Sequence, residues 1–120
     1  MNPRGVQGAR AEDEALAYLE ARGLHCVQRN WRATFHKQVG ELDLIMRDGA
    51  TLVFVEVRQR SSRSHGGAAA SVTWAKQARL VRTAQAYLAR WRGPWPACRF
   101  DVVAFEPEGI NWIRAAFTLG

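Results

Sequence analysis

Lysine is nearly missing from this chain of 120 residues: it stands only at positions 37 and 76, against fifteen arginines. Positive charge here is therefore almost all guanidinium charge, always ionised and poor at exchanging protons. Cysteine is as scarce, and Cys26 and Cys98 lie too far apart for a close-spaced metal site or a dense disulfide framework. Two reduced, partly buried thiols are expected. No apolar run approaches the roughly 18 residues of a membrane-spanning helix, and the opening "MNPRGVQGARAEDE" has no apolar core of the signal-peptide kind. These absences point to a cytoplasmic protein with no membrane partner. A Gly-rich phosphate loop, a serine-nucleophile context and zinc-ligand spacing are missing too, and His25, His36 and His65 stand apart in surface or loop contexts.

What is present is a globular composition, 48% hydrophobic and 23% charged, of a size that suits one domain over residues 1–120. Seventeen basic residues against eleven acidic ones leave a net charge of +6, which favours a polyanionic partner such as nucleic acid.

Residues 8–22 predict a helix closed by Gly23, with Ala11, Ala15, Leu16 and Leu19 as its apolar stripe. At 100° per residue Glu12 falls in the middle of that stripe, while Asp13, Glu14 and Glu20 lie off its centre. Residues 24–33 predict a strand and "TFHKQVG", residues 34–40, a loop. "ELDLIMR" and "TLVFVEVRQ" flank Asp48-Gly49, a hairpin signal. Centring the hairpin there pairs Met46 with Thr51, Asp43 with Phe54 and Glu41 with Glu56. It places Glu41, Asp43, Glu56 and Arg58 on one face, and Leu42, Leu44, Val53, Val55 and Val57 on the other. Residues 60–72 form a small-residue loop, and residues 73–92 a second helix with Leu80, Val81, Ala84, Tyr87, Leu88 and Trp91 on one side and Lys76, Arg79 and Arg82 on another. Two strands, "CRFDVVAFE" and "INWIRAAF", turn through Pro107-Glu108-Gly109. Helix, three strands, helix, two strands make an α/β or α+β sandwich, a mixed sheet flanked by helices.

Carboxylates in apolar strands are costly unless paired or bound to a cation. One reading is a solvated strand face on which Arg58 pairs with Glu41. The other is a cradle for a hard divalent cation, with Asp43 and Glu56 supplying oxygens.

"GELDLI", then the thirteen residues from Asp43 to Glu56, then "FVEVR", resembles the PD-(D/E)xK signature of restriction-endonuclease-like proteins. The likeness extends to the YraN family of small bacterial endonuclease-like proteins through "AEDEALAYLEARGL" (11–24), "RNWR" (29–32), "GELDLIMRDGATLVFVEVRQR" (40–60), "KQARLVRTAQAYL" (76–88), "RFDVVAF" (99–105) and "INWIRAAF" (110–117). The resemblance implies a restriction-endonuclease-like core and a Mg²⁺- or Mn²⁺-dependent nuclease acting on DNA rather than RNA, branched or structured DNA included. The alternative it leaves open is a nucleic-acid-binding module on the same scaffold without turnover. By resemblance Asp43, Glu56 and Glu12 are metal ligands and catalytic residues, with Glu41 at the edge of the site or paired with an arginine.

Arg58 stands where the pattern has lysine, either supplying the catalytic charge or marking a site that binds without cutting. Arg60, Arg63, Lys76, Arg79 and Arg82 are expected to hold the nucleic-acid backbone. Lys76 is also placed to reach the reacting phosphate from the second helix. Asp101 reads as a structural partner for Arg99 or a backbone amide, and Trp91 and Trp95 as core residues or base-stacking platforms. Junction resolvases of this fold cut in pairs as dimers, which by analogy adds a homodimer to the expected partners.

Overall fold

The computed structural model describes residues 3–60 and 67–119, with side chains from residue 8 onward. The order is α1 (Pro3–Glu20), β1 (His25–Phe35), β2 (Gln38–Asp48), β3 (Thr51–Gln59), α2 (Gly67–Ala70), α3 (Trp74–Leu88), β4 (Cys98–Glu106) and β5 (Gly109–Phe117). The strands form one sheet in sequence order, antiparallel except where β3 and β4 run parallel. A parallel pair needs a long crossover, and α2 and α3 supply it. Among the described residues the result is an α+β fold with a five-stranded mixed sheet and three helices, consistent with a restriction-endonuclease-like core.

Strict alternation along β3 separates the two faces. Leu52 and Phe54 pack with Leu80, Ala84 and Leu88 of α3, while Val53 and Val55 pack with Ala15 and Leu19 of α1. The sheet is therefore sandwiched, and its central strands read as near-continuous apolar runs because both faces are covered. Ala11, Ala15 and Leu19 are buried as the α1 stripe predicts, with Leu16 half-buried. Thr73 caps α3 by accepting the Lys76 N–H at 3.1 Å, and the helix ends at Leu88, four residues short of the expected boundary, so Trp91 lies beyond it.

Two turns differ from expectation. Residues 34–40 are not a loop: β1 continues to Phe35, β2 starts at Gln38, and His36 and Lys37 form the whole connection with φ of 50° and 64°. Positive φ at both central residues is the type I′ arrangement that matches strand twist. The second hairpin turns on Gly49-Ala50, not on Asp48-Gly49. Gly49 takes the first central position at φ 59°, where a type II′ turn wants glycine, and Asp48 then pairs with Thr51 and Met46 with Val53.

A further departure lies inside β2. Leu42 packs in the α3 cluster and Leu44 in the α1 cluster, although residues two apart on a regular strand share a face. The chain thus rolls over at Asp43. β1 accommodates this with Asn30, which sits between the pairs Arg29↔Leu44 and Trp31↔Leu42 at φ 52°. Asparagine tolerates that left-handed conformation better than most residues.

The β1–β2 hairpin closes on α3 through Gly40, where a Cβ would overlap the Oγ1 of fully buried Thr83 and press the Phe35 ring at 3.0 Å. Thr83 is stiff at χ1 and its hydroxyl already donates to the Arg79 carbonyl at 2.7 Å, so it has little freedom to yield. Gly40→Ala should cost about 1–3 kcal/mol, the usual range for overpacking a core. Thr83→Ala in the same chain should recover part of that loss. Urea unfolding midpoints for the two single variants and the double variant measure it, and additive losses would contradict the proposed contact.

Candidate functional site

The β2–β3 ladder ends at Leu44↔Val55, though β2 continues beside β1 and β3 beside β4. The two strands fork beyond that pair. The Val57 amide, which faces the fork, donates to Asp43 Oδ2 at 2.9 Å, a side chain doing the work of a missing ladder carbonyl. Glu56, 6% exposed, points to the α3 face. Glu12 arrives from α1 and Lys76 from α3, so the fork is where groups from both layers meet.

One oxygen each from Glu12, Glu41 and Asp43 lies within 4.8 Å of the others. Glu41, expected at the edge of the site or paired with an arginine, belongs to this group and also accepts from Arg32 Nε of β1 at 3.1 Å. Glu56 is a hydrogen-bond partner of Asp43. Its Oε2 faces Arg58 Nη1 at 3.4 Å and Lys76 Nζ at 3.5 Å. The bland pairing of Arg58 with Glu41 is therefore absent among the described residues. Glu41 does not oppose Glu56 in the ladder either, because the register is set by Gly49-Ala50 and the pairing stops short of both.

Burial pushes the Asp43 carboxyl up to about 8, helped by its hydrogen bond to Glu56 and repulsion from Glu56 and Glu12; the Val57 amide opposes this. Burial also raises Glu12, with repulsion from Glu41, while the Asn30 side chain and Arg29 stabilise its ionised form. Sequence pattern gives Asn30 no role beyond its place in "RNWR". Its signal was its residue type: asparagine fits both an irregular backbone and a carboxylate partner.

Other predicted residues stand further off. Arg79 and Arg82 are exposed on α3, with the Arg82 guanidinium 4.9 Å from the centre of the Phe35 ring. Arg60 is half-buried at the end of β3 and lines a cleft of about 710 Å³ with Arg10, Glu14 and Phe105, whose walls include none of the four clustered carboxylates. Arg63 and His65 lie outside the described residues. Asp101 is fully buried and structural, as expected: it accepts from Arg99 Nε at 3.0 Å, Trp112 Nε1 at 2.9 Å and the Ala115 amide at 3.0 Å, closing a bulge in β5. Both cysteines are free, but Cys26 is exposed rather than partly buried, because it lies in the edge strand next to a bulge. Among the described residues no helix is long and apolar enough to cross a membrane.

The acid cluster makes a stability prediction. Between about pH 4 and pH 8 native Asp43 keeps a proton that the unfolded chain has lost, so native stability falls as pH rises through that window. Asp43→Asn cannot ionise, and its amide can still accept from Val57 and donate to Glu56. In chelator, thermal unfolding at pH 5 and pH 8 should show a clear loss for the native sequence and a much smaller one for Asp43→Asn. The variant should gain on the order of 1–3 kcal/mol at pH 8. Parallel pH profiles would rule out a protonated Asp43.

The model of the uncharacterised protein family UPF0102 matches residues 11–105, which include every carboxylate of the cluster. UPF0102 proteins of Methylibium petroleiphilum and Cupriavidus taiwanensis are 58% and 56% identical to this chain, covering 92% and 95% of it and 92% and 84% of their own lengths. One of Herminiimonas arsenicoxydans is 51% identical, over 94% of this chain and 87% of its own. These names state no activity. The chain belongs to UPF0102, the YraN family that its strand and helix motifs resemble.

Proposed function

We propose that this protein is a metal-dependent nuclease that hydrolyses phosphodiester bonds in DNA, branched or flapped DNA included. The observation that carries the reading is the convergence of two cations, Arg58 and Lys76, on Glu56 beside three further carboxylates. The nuclease pattern asks for lysine two residues after Glu56, where Arg58 stands. Lys76 brings an ammonium to the same carboxylate from α3.

The donor set fits a hard divalent cation. Three carboxylate oxygens within 4.8 Å of one another repel without one, and Asp43 is held protonated in its absence. Glu12, Glu41 and Asp43 would hold Mg²⁺ or Mn²⁺, which when bound supplies Lewis acidity toward a phosphate oxygen and lowers the pKa of bound water. Glu56 links that group to the cations through its hydrogen bond to Asp43. Lys76 and Arg58 would stabilise charge that develops on the phosphate, Lys76 as a compact point charge and Arg58 as a planar fork. Arg79 and Arg82 follow Lys76 at three-residue intervals, a stripe winding along α3 that suits a phosphate backbone without reading sequence.

One observation favours a second reading, a nucleic-acid-binding module without turnover. Glu56 is already paired with two cations, so its charge is satisfied without a metal. The two readings part on cleavage. With Mn²⁺ and flapped DNA, the native protein should cut, Asp43→Ala should not, and Lys76→Ala should lose roughly 10²–10³ in rate, as removal of a transition-state donor does. Arg58→Lys should stay active. Binding without cleavage by the native protein would establish the second reading, and equal cleavage by Asp43→Ala would expose a contaminant.

A further inference from the structure

β1 is an edge strand, and its register breaks at Val27, the residue left over between the pairs Cys26↔Met46 and Gln28↔Ile45. Beside that bulge a cleft of about 240 Å³ opens between Gln28 and Tyr87, Arg90 and Trp91 at the C-terminal end of α3. It is smaller than the roughly 300 Å³ at which drug-sized ligand sites begin, a size that suits a single ring system.

The walls of this cleft have distinct chemistries. Tyr87 is held from behind by edge contacts with Trp31, at 5.3 Å and 84°, and with Phe54, at 6.1 Å and 81°. Trp91 leans on Tyr87 with ring centroids 6.3 Å apart, yet remains 38% exposed. Rigidly backed aromatic surface of this kind loses little conformational entropy when a flat ligand stacks on it. The Gln28 side chain offers a donor and an acceptor together, the pattern that pairs with a base edge. Arg90 brings a charge suited to phosphate.

Charge decides between occupants. Arg90 and Arg92 flank Trp91 and both are exposed, so a second copy of the chain docking by the same patch would set like charges against each other. A polyanion would be attracted.

We infer that the cleft receives one unpaired nucleobase of a bound strand, stacked on Trp91, with its edge at Gln28 and its phosphate at Arg90. This rests on the nucleic-acid reading above and deepens it: the substrate carries a single-stranded segment close to the carboxylates. Gln28 lies on β1 two residues before Asn30, the partner of Glu12, so one strand borders both the cleft and the carboxylates. A base inside a duplex has no free face to offer Trp91.

The test is fluorescence anisotropy in chelator, with a short labelled single strand and the duplex of the same sequence. Chelation removes cleavage from the measurement. Trp91→Ala should weaken single-strand binding roughly 5- to 100-fold, the range for losing one stacked base, and change duplex binding little. Trp91→Phe should keep most of the affinity, and Gln28→Ala should weaken the single strand selectively. Unchanged single-strand affinity in a Trp91→Ala protein with native circular dichroism, or equal losses for both DNA forms, overturns the cleft assignment while leaving the nuclease reading in place. Should Trp91→Ala fail to fold, Gln28→Ala, at an exposed strand position, decides by the same comparison. If the native protein binds neither form, the nucleic-acid reading fails and the cleft inference with it.

Discussion

The Val57 amide takes a carboxylate oxygen where a strand would give it a carbonyl, and the arrangement of the acidic site follows from that hydrogen bond. A buried amide must be satisfied, so once β2 and β3 part beyond Leu44↔Val55, something from the opposite strand has to reach across. Asp43 does so, at the point where β2 rolls over and sends Leu42 and Leu44 to opposite faces. The fork leaves a gap between the two layers of the sandwich. Through it Glu12 of α1 and Lys76 of α3 approach the same few carboxylates, although their helices cover opposite faces of the sheet.

Positioning Lys76 depends on how closely α3 lies against the β1–β2 hairpin. Gly40 sits directly beneath Thr83, and Trp31 and Phe54 brace Tyr87 further along the same helix. These contacts fix α3 over a length of several residues with buried, stiff groups, so the helix has little freedom to slide. At the far side of the sheet Asp101 performs a different task. Its buried charge is met by Arg99, the indole of Trp112 and the Ala115 amide, and Arg99 also reaches Asp48 at 2.9 Å. That set is satisfied within the chain. The set at Asp43 is not balanced in the same way, since carboxylates there face one another and one retains a proton. The contrast between a closed acidic network and an open one separates a structural aspartate from a candidate ligand.

Much of this was legible in residue pattern. The α1 stripe placed Glu12 inward, β-strand alternation placed Glu56 and Arg58 on one face, and the strands "CRFDVVAFE" and "INWIRAAF" match β4 and β5 to within a residue. Turns were less legible, because both hairpins depend on φ values that residue type only suggests: His36 and Lys37 adopt positive φ, and Gly49 takes the first turn position instead of the second. The roll at Asp43 had no signature in a period-2 pattern, which assumes a regular strand, and so Leu42 and Leu44 were expected on one face. Glu12's approach to Glu41 and Asp43 and Lys76's contact with Glu56 arise from tertiary approach between elements distant in sequence. Spacing along one strand cannot supply either.

Mn²⁺ binding followed by titration calorimetry decides whether α1 and β2 build one cation site at the fork. Glu12 is the informative residue because it comes from another layer, and glutamine is nearly isosteric with it and similar in helix propensity. The account predicts saturable Mn²⁺ binding by the native protein and clearly weaker binding by a Glu12→Gln variant whose helical circular dichroism is unchanged. Equal Mn²⁺ affinity in the two proteins would place Glu12 outside the site and contradict the account.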